Sequence, residues 1–475
     1  MTSVAIVFTL WGEGHAAQAA SLRCRGKTRL TPRVPLRKKC QVNSIDVSSV
    51  PNGVRAVVEA LRFNGRSADR LRAVPEEEWP ALLAWCDDRQ VTLLLGARCD
   101  GDLPAGVRER VSAGRERYAQ RYARLEHDLG EMVDAFHRQR LDFVLLKGMS
   151  HAPALTPDPL LRAQGDIDLW FTSESIGVAR EVLSNMGYVP NRRRGARDDS
   201  RHLAPMARPH NWKWRDDMFD PEMPIHVEAH YRLWSDSADY IPIPGQTDFW
   251  NRRVTRTIAG RPVCVLGPQD LVGFAALHFL LHLMHGDLPL QRAWEIAFFL
   301  QENARNKEFW SRWRKLHSPA LRRLQALVFA IAQIWFRCDV HESVQREVQG
   351  LAGDVRLWLD HFAWSPLRRY SEPNKDEVWL HLALVHSPAD RARVLLRRLF
   401  PFVLSRKGGL TWARLAHHRR TFIPTVLGGL RWMQLKRRMN RGQAPALPQR
   451  ESPLPPPGTI DPRSSSSPTL PAHGV

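Results

Sequence analysis

No two cysteines in the chain stand at C-x-x-C spacing. The six that occur, Cys24, Cys40, Cys86, Cys99, Cys264 and Cys338, are scattered over 475 residues. That pattern fits neither a disulfide framework nor a zinc site, and a reducing, cytoplasmic setting is expected. Long apolar runs are also missing. The segment "ALVFAIAQIWF" (Ala326 to Phe336) falls short of the ~20 residues that a bilayer-spanning helix needs, so no integral membrane segment is expected. The opening "MTSVAIVFTLWGEGHAAQAA" imitates a signal peptide, but it lacks a basic first segment and Gly-Glu-Gly-His interrupts it. It reads better as part of a basic, disordered extension, or as an upstream start. No internal repeat is present. Acidic residues are in deficit, 49 Asp+Glu against 69 Lys+Arg, for a formal charge of +20. The excess favours polyanionic company or simply a well-solvated, arginine-rich surface.

What the chain does have is apolar material, 43% hydrophobic residues with 17 Trp, enough for a sizeable core. "VRAVVEALRF" and "WPALLAWCDDRQVTLLL" carry helical apolar spacing. A longer helix is predicted over Tyr118 to Arg140, where Leu125, Leu129, Met132, Val133 and Phe136 share one face. The period then changes. "LDFVLLKG" (Leu141 to Gly148) and "GDIDLWF" read as buried strands, and "SIGVAREVLSNMGY" as a helix closed by Gly187. A polar, basic loop or irregular hairpin follows. Then "PIHVEAHYRLW" (Pro224 to Trp234) alternates Ile225, Val227, Ala229 and Tyr231 with His226, Glu228, His230 and Arg232, the pattern of a half-buried strand. From about Gly267 the chain reads as helical, ending in a tail rich in Pro and Ser that is expected to be disordered.

Residues i and i+2 of a strand share a face, so Asp166 and Asp168 point one way while Ile167 and Leu169 point into the core. Paired carboxylates resist desolvation unless cations lie between them. Oxygen-only ligands suit Mg²⁺, which keeps several waters and shares substrate phosphates. If the strand bearing Glu228 pairs beside the D-x-D strand, a third carboxylate joins. Two metals about 3.5–4 Å apart could then clamp the attacking and leaving oxygens of a phosphoryl displacement. His230, on the Glu228 face, is a candidate for orienting a ligand or substrate. His278, His282 and His285 share one helix face and read as core histidines, with zinc as the alternative. "NRRRGARDDSRH" and "NWKWR" interleave basic residues with Trp212 and Trp214, as a nucleic-acid groove or a solvated loop would. The basic amphipathic "VLGGLRWMQLKRRM" is expected to dock on its own domain rather than on a membrane.

"LLKGMSHAPALTPDPLLRAQGDIDLWF" followed by "IHVEAHYRLW" resembles the uncharacterised nucleotidyltransferase family of the polymerase-β-like superfamily, and the resemblance extends over roughly Val54 to Pro401. It implies an α+β fold: a small mixed β-sheet nucleotidyltransferase core flanked by N-terminal helices and a larger C-terminal helical region. The implied organisation is a basic extension (1–52), an N-terminal helical region (53–140), the catalytic core (141–266), a C-terminal helical region (267–440) and a tail (441–475). The implied activity is Mg²⁺-dependent transfer of a nucleoside monophosphate from an NTP to an acceptor hydroxyl, with two ions and release of pyrophosphate. Asp166, Asp168 and Glu228 match the catalytic, metal-binding acids. Lys147 and Gly148 stand where the wider superfamily turns against the triphosphate, and Arg162 matches an arginine expected to contact phosphate. The acceptor could be a small molecule, a peptide or protein, or an RNA end. A basic nucleic-acid-binding protein with a vestigial site, or a toxin-like enzyme acting on tRNA, is the alternative.

Overall fold

A computed structural model describes residues 49–190, 201–288, 290–369, 374–399 and 412–441. The expected N-terminal extension, the basic stretch 192–200 and the Pro/Ser-rich tail lie outside them.

Seven strands form one mixed sheet: β1 (Val144–Leu145), β2 (Asp166–Trp170), β3 (Val189–Pro190), β4 (Met206–Ala207), β5 (His226–His230), β6 (Val254–Ile258) and β7 (Arg261–Val265). Their order across the sheet is β3-β4-β5-β2-β1-β7-β6. β2 and β5 run parallel, with Asp166 opposite His226, Asp168 opposite Glu228 and Trp170 opposite His230. β1 lies antiparallel on the other side of β2 and parallel to β7. The polar stretch before β5 contributes β4, which pairs antiparallel with it, so the expected loop or irregular hairpin supplies a strand between β5 and the edge strand β3. β6 and β7 form a tight hairpin whose two turn residues, Ala259 and Gly260, both have positive φ (51° and 71°), as a primed hairpin turn requires.

Alternation divides the sheet's residues between two cores. Leu145, Ile167, Leu169, Val227, Ala229, Val263 and Val265 face a cluster that includes Leu125, Leu129, Val133 and Phe136 of the Ala105–Arg138 helix and Ala179 and Leu183 of the Ile176–Asn185 helix. Each fully buried aliphatic side chain there contributes about 1.5–3 kcal/mol relative to exposure. The long helix starts thirteen residues before the predicted Tyr118, because Val107 and Val111 continue its buried stripe. The "WPALLAWCDDRQVTLLL" stretch divides into two helices, Trp79–Asp88 and Thr92–Cys99, with Gln90 (φ 61°) between them.

The opposite side of the sheet meets a larger helical core. Val144, Leu146 and Trp170 join it with the Asn52–Ala60, Pro268–His285, Leu290–Glu302 and Pro319–Phe336 helices. N- and C-terminal helices are stitched together there: Trp294 Nε1 donates to Leu61 O (3.1 Å) and Phe63 N to Phe336 O (2.8 Å). The C-terminal Trp412–Asn440 helix docks on this body through buried Trp432 and Leu435 and a 2.7 Å Lys436–Asp354 ion pair. No described helix is long and apolar enough to cross a membrane.

Candidate active site

The parallel register of β2 and β5 places Asp168 beside Glu228, on the face opposite Ile167, Leu169, Val227 and Ala229. One more strand completes the group: Leu146 N donates to Asp168 O (3.0 Å), which brings the next residue of the β1 strand, Lys147, level with the acids. Lys147 Nζ lies 2.6 Å from Asp168 Oδ1, and His230 Nε2 donates to the same oxygen at 2.9 Å while standing 3.6 Å from Glu228 Oε2. Asp168, Glu228 and His230 each offer a ligand atom within 4.8 Å of the others. Asp166 lies one strand position earlier on the same face and lines the same cavity.

Protonation follows from this crowding. Burial opposes ionisation of Asp168, but the Lys147 ammonium and the His230 ring overcome it and hold the carboxyl far below the usual range. Glu228 has no such partner: burial, then the charges of Asp168 and Asp166, push its carboxyl up to about 8. Asp166 is raised for the same reasons, burial first and Asp168 second. Burial lowers His230 to about 4, so the ring is neutral. Asp166 and Glu228 thus line the cavity beside Lys147, which pairs with Asp168, and the oxygen donors suit a hard divalent cation.

The segment between β1 and β2 shapes the rim. Gly148 adopts φ +62°, and a Cβ there would lie 2.1 Å from Gln164 Oε1. Only glycine lets Gln164 cross at this point, where its Nε2 donates to Asp166 O at 3.2 Å. Ser150 is fully buried and donates to Leu146 O (2.8 Å), closing the turn from within. Arg162 is buried and its guanidinium Nε lies 2.9 Å from Glu295 Oε1, whose other oxygen accepts from His151 Nδ1 (3.1 Å). It is not among the residues that line the cavity.

Two residues that sequence reasoning passed over hold the strands in place. Tyr118 and Arg121 are fully buried, one turn apart on the long helix. The Tyr118 hydroxyl donates to Arg162 O and accepts from Gln164 N (3.2 Å). Arg121 donates to Gln164 O (3.3 Å) and Gly165 O (3.2 Å) just before β2, and to Met223 O and Pro224 O just before β5. One guanidinium therefore fixes the starts of both acid-bearing strands. The available signal was an arginine in line with Leu125 and Leu129, four and eight residues on, along a buried helical stripe.

The opposite wall is helical. His278 and His282 reach the cavity from the Pro268–His285 helix, and Arg292 from the next one. The three histidines of that helix do not converge: His285 Nε2 turns to Asp239 (2.7 Å), while His278 and His282 stand with their Nε2 atoms 3.1 Å apart. The enclosed space is about 240 Å³. In the basic loop, Trp212 Nε1 donates to Asp220 and Trp214 Nε1 to Asp216, and Arg215 pairs with Glu222 (3.1 Å), so this segment satisfies itself with its own acids.

Comparison with known families gives the enzyme class, nucleotidyltransferase. The model of the family described as "Uncharacterised nucleotidyltransferase" matches residues 75–337, more than half of the chain, and the chain belongs to that family. No curated protein and no solved structure matches it.

Proposed function

We infer that the protein transfers a nucleoside monophosphate from an NTP to an acceptor hydroxyl and releases pyrophosphate. The observation that carries this reading is the register that sets Asp168 opposite Glu228 on adjacent parallel strands, with Asp166 on the same face and Lys147 against Asp168. Asp166, Asp168 and Glu228 are the residues that would hold Mg²⁺. The fit rests on their oxygen-only donor set and on the carboxyls of Glu228 and Asp166, raised first by burial and then by the charges of the neighbouring acids. When bound, such ions neutralise phosphate charge and polarise the phosphoryl group.

The chain's own groups account for the rest. Lys147 offers the triphosphate a point charge, and Gly148 leaves the backbone beside it uncovered. His230, neutral and hydrogen-bonded to Asp168, fixes the position of that carboxylate. The acceptor oxygen attacks the α-phosphorus in line, the bond to the bridging oxygen breaks, and pyrophosphate departs. The hydroxyl proton passes to a carboxylate oxygen of Glu228, which lines the cavity. Arg162, paired with Glu295, supports the loop that leads into β2. Most of the rate enhancement would come from positioning and charge neutralisation.

The test is transfer of label from α-³²P NTPs into cell-extract acceptors, with pyrophosphate release, for wild type and Asp168→Asn. Loss of both signals in the variant, with retained circular dichroism, supports the reading. Equal activity of the two proteins overturns it.

A further inference from the structure

Arg292 is a guanidinium without an ion pair, although the carboxylates of Asp166, Asp287 and Glu295 lie near enough to act on its charge. Among the described residues no carboxylate lies within ion-pair distance of it, and its Nε is buried with no hydrogen-bond partner. Its one hydrogen-bond contact is Nη1 to His278 Nε2, at 3.5 Å. That same imidazole nitrogen lies 3.4 Å from Lys147 Nζ and 3.1 Å from His282 Nε2.

The tautomers show why this arrangement is incomplete. His282 Nδ1 lies 2.8 Å from Asp287 Oδ2 and donates to it, which leaves the His282 Nε2 lone pair facing His278. His278 then fills that contact by donating its own Nε2–H, and it has nothing left to accept from Arg292 or Lys147. If His278 instead kept a lone pair at Nε2, it could accept from only one of Lys147 and Arg292, and two lone pairs would face each other toward His282. Either way, donors outnumber acceptors on the helical wall, and a buried donor without a partner is costly. Lys147 has Asp168 as well. Arg292 has nothing else, and it faces a cavity of about 240 Å³, smaller than the roughly 300–1,000 Å³ that encloses a drug-sized ligand. The space suits the charged end of a nucleotide, with the base and sugar outside it.

We propose that Arg292, flanked by His278 and Lys147, is the anion subsite that receives the β- and γ-phosphates of the donor nucleotide and then the pyrophosphate leaving group. The proposal rests on the nucleotidyl-transfer reading above and assigns the polyphosphate to the helical wall, across the cavity from the carboxylates. A planar guanidinium can meet two phosphate oxygens at once.

The substitution Arg292→Met separates a ligand-binding role from a structural one, because a guanidinium without an ion pair should be dispensable to the fold. Thermal unfolding and calorimetry with inorganic pyrophosphate, in EDTA and in Mg²⁺, are measured on the full chain. The expected result is an unchanged or raised melting temperature for ligand-free Arg292→Met, a pyrophosphate Kd at least tenfold weaker than wild type, and a raised KM for NTP. A lowered melting temperature with wild-type pyrophosphate affinity overturns the proposal, as does wild-type affinity in a fully stable variant. The two readings fail separately. Pyrophosphate binding lost in Arg292→Met while wild type transfers nothing from any NTP keeps the subsite and removes the transfer reading. Normal transfer with pyrophosphate binding indifferent to residue 292 removes only the subsite.

Discussion

Lys147 Nζ and Asp168 Oδ1 are 2.6 Å apart at the centre of the sheet, with both side chains almost wholly withdrawn from solvent. The ammonium occupies the position of a counter-ion for a cluster that otherwise consists of acids and neutral imidazoles. It follows a strand only two residues long, so its placement depends on the backbone bond from Leu146 to Asp168 rather than on a long ladder.

Removing that ammonium should therefore destabilise the ion-free protein in a way that a divalent cation can repair. Lys147→Met is expected to cost roughly 3–5 kcal/mol in EDTA at pH 8, the range for a buried charge that loses its partner. The loss should shrink at pH 5, where the neighbouring carboxyls take up protons, and on addition of Mg²⁺. Urea unfolding under the three conditions checks this, and an equal loss in all of them would contradict it.

Glu228 should lower stability in proportion to its usefulness. Its carboxyl is raised to about 8 in the folded chain, against about 4.3 when unfolded. Between those values the folded state holds a proton that the unfolded state lacks, so the Glu228 contribution to stability falls as pH rises through that window. Glu228→Gln, neutral at every pH, is expected to match wild type in EDTA at pH 4.5 and to exceed it at pH 8. Parallel stability curves for the two proteins would count against the assignment.

Glu295 accepts from His151 and pairs with Arg162 inside the core. Glu295→Gln should cost roughly 3–5 kcal/mol, because Arg162 is left buried without its charge partner. Denaturant midpoints measure the loss, and a change below about 1 kcal/mol would show that the pair is dispensable.

Gly148→Ala introduces a Cβ where the Gln164 amide stands, at a positive φ. Displacing Gln164 releases Asp166 O and shifts the first acid of the pair. Transfer activity is expected to fall about a hundredfold, the scale of an ångström-sized misplacement, with the helical circular dichroism retained. Wild-type turnover would show that the turn tolerates a side chain.

The β6–β7 turn offers a stabilising change remote from the site. Ala259 has φ 51°, a conformation that asparagine tolerates better than alanine and that an Asn-Gly turn favours. Ala259→Asn should raise stability by roughly 0.5–1 kcal/mol, read from the urea midpoint.

Much of this architecture is legible where apolar periodicity is strong. The D-x-D strand, the strand bearing Glu228 and the Pro268–His285 and Pro319–Phe336 helices appear where their alternation or apolar spacing places them. The β6–β7 hairpin escaped notice because its turn is Ala-Gly rather than Asn-Gly and its outer strand is largely exposed. Arg162 looked like a phosphate contact because it precedes the acids in sequence, yet its partner, Glu295, lies more than a hundred residues further on, at a distance that no local pattern encodes. The gathering of His278, His282 and Arg292 opposite Lys147 depends on how two helices pack across a sheet. Composition and spacing carry no information about that geometry.

β2 and β5 are neighbours in the middle of the sheet although Asp168 and Glu228 stand sixty positions apart along the chain. Strands so distant in sequence associate only after a long loop has closed, which is a slow event with a large entropic cost. Until then Glu228 remains apart from the two aspartates, and all three are ordinary solvated carboxylates with no special affinity for cations. The capacity to capture a divalent ion would thus arise at the same moment as the central parallel pair, and a newly synthesised chain would carry no such trap while it is still folding.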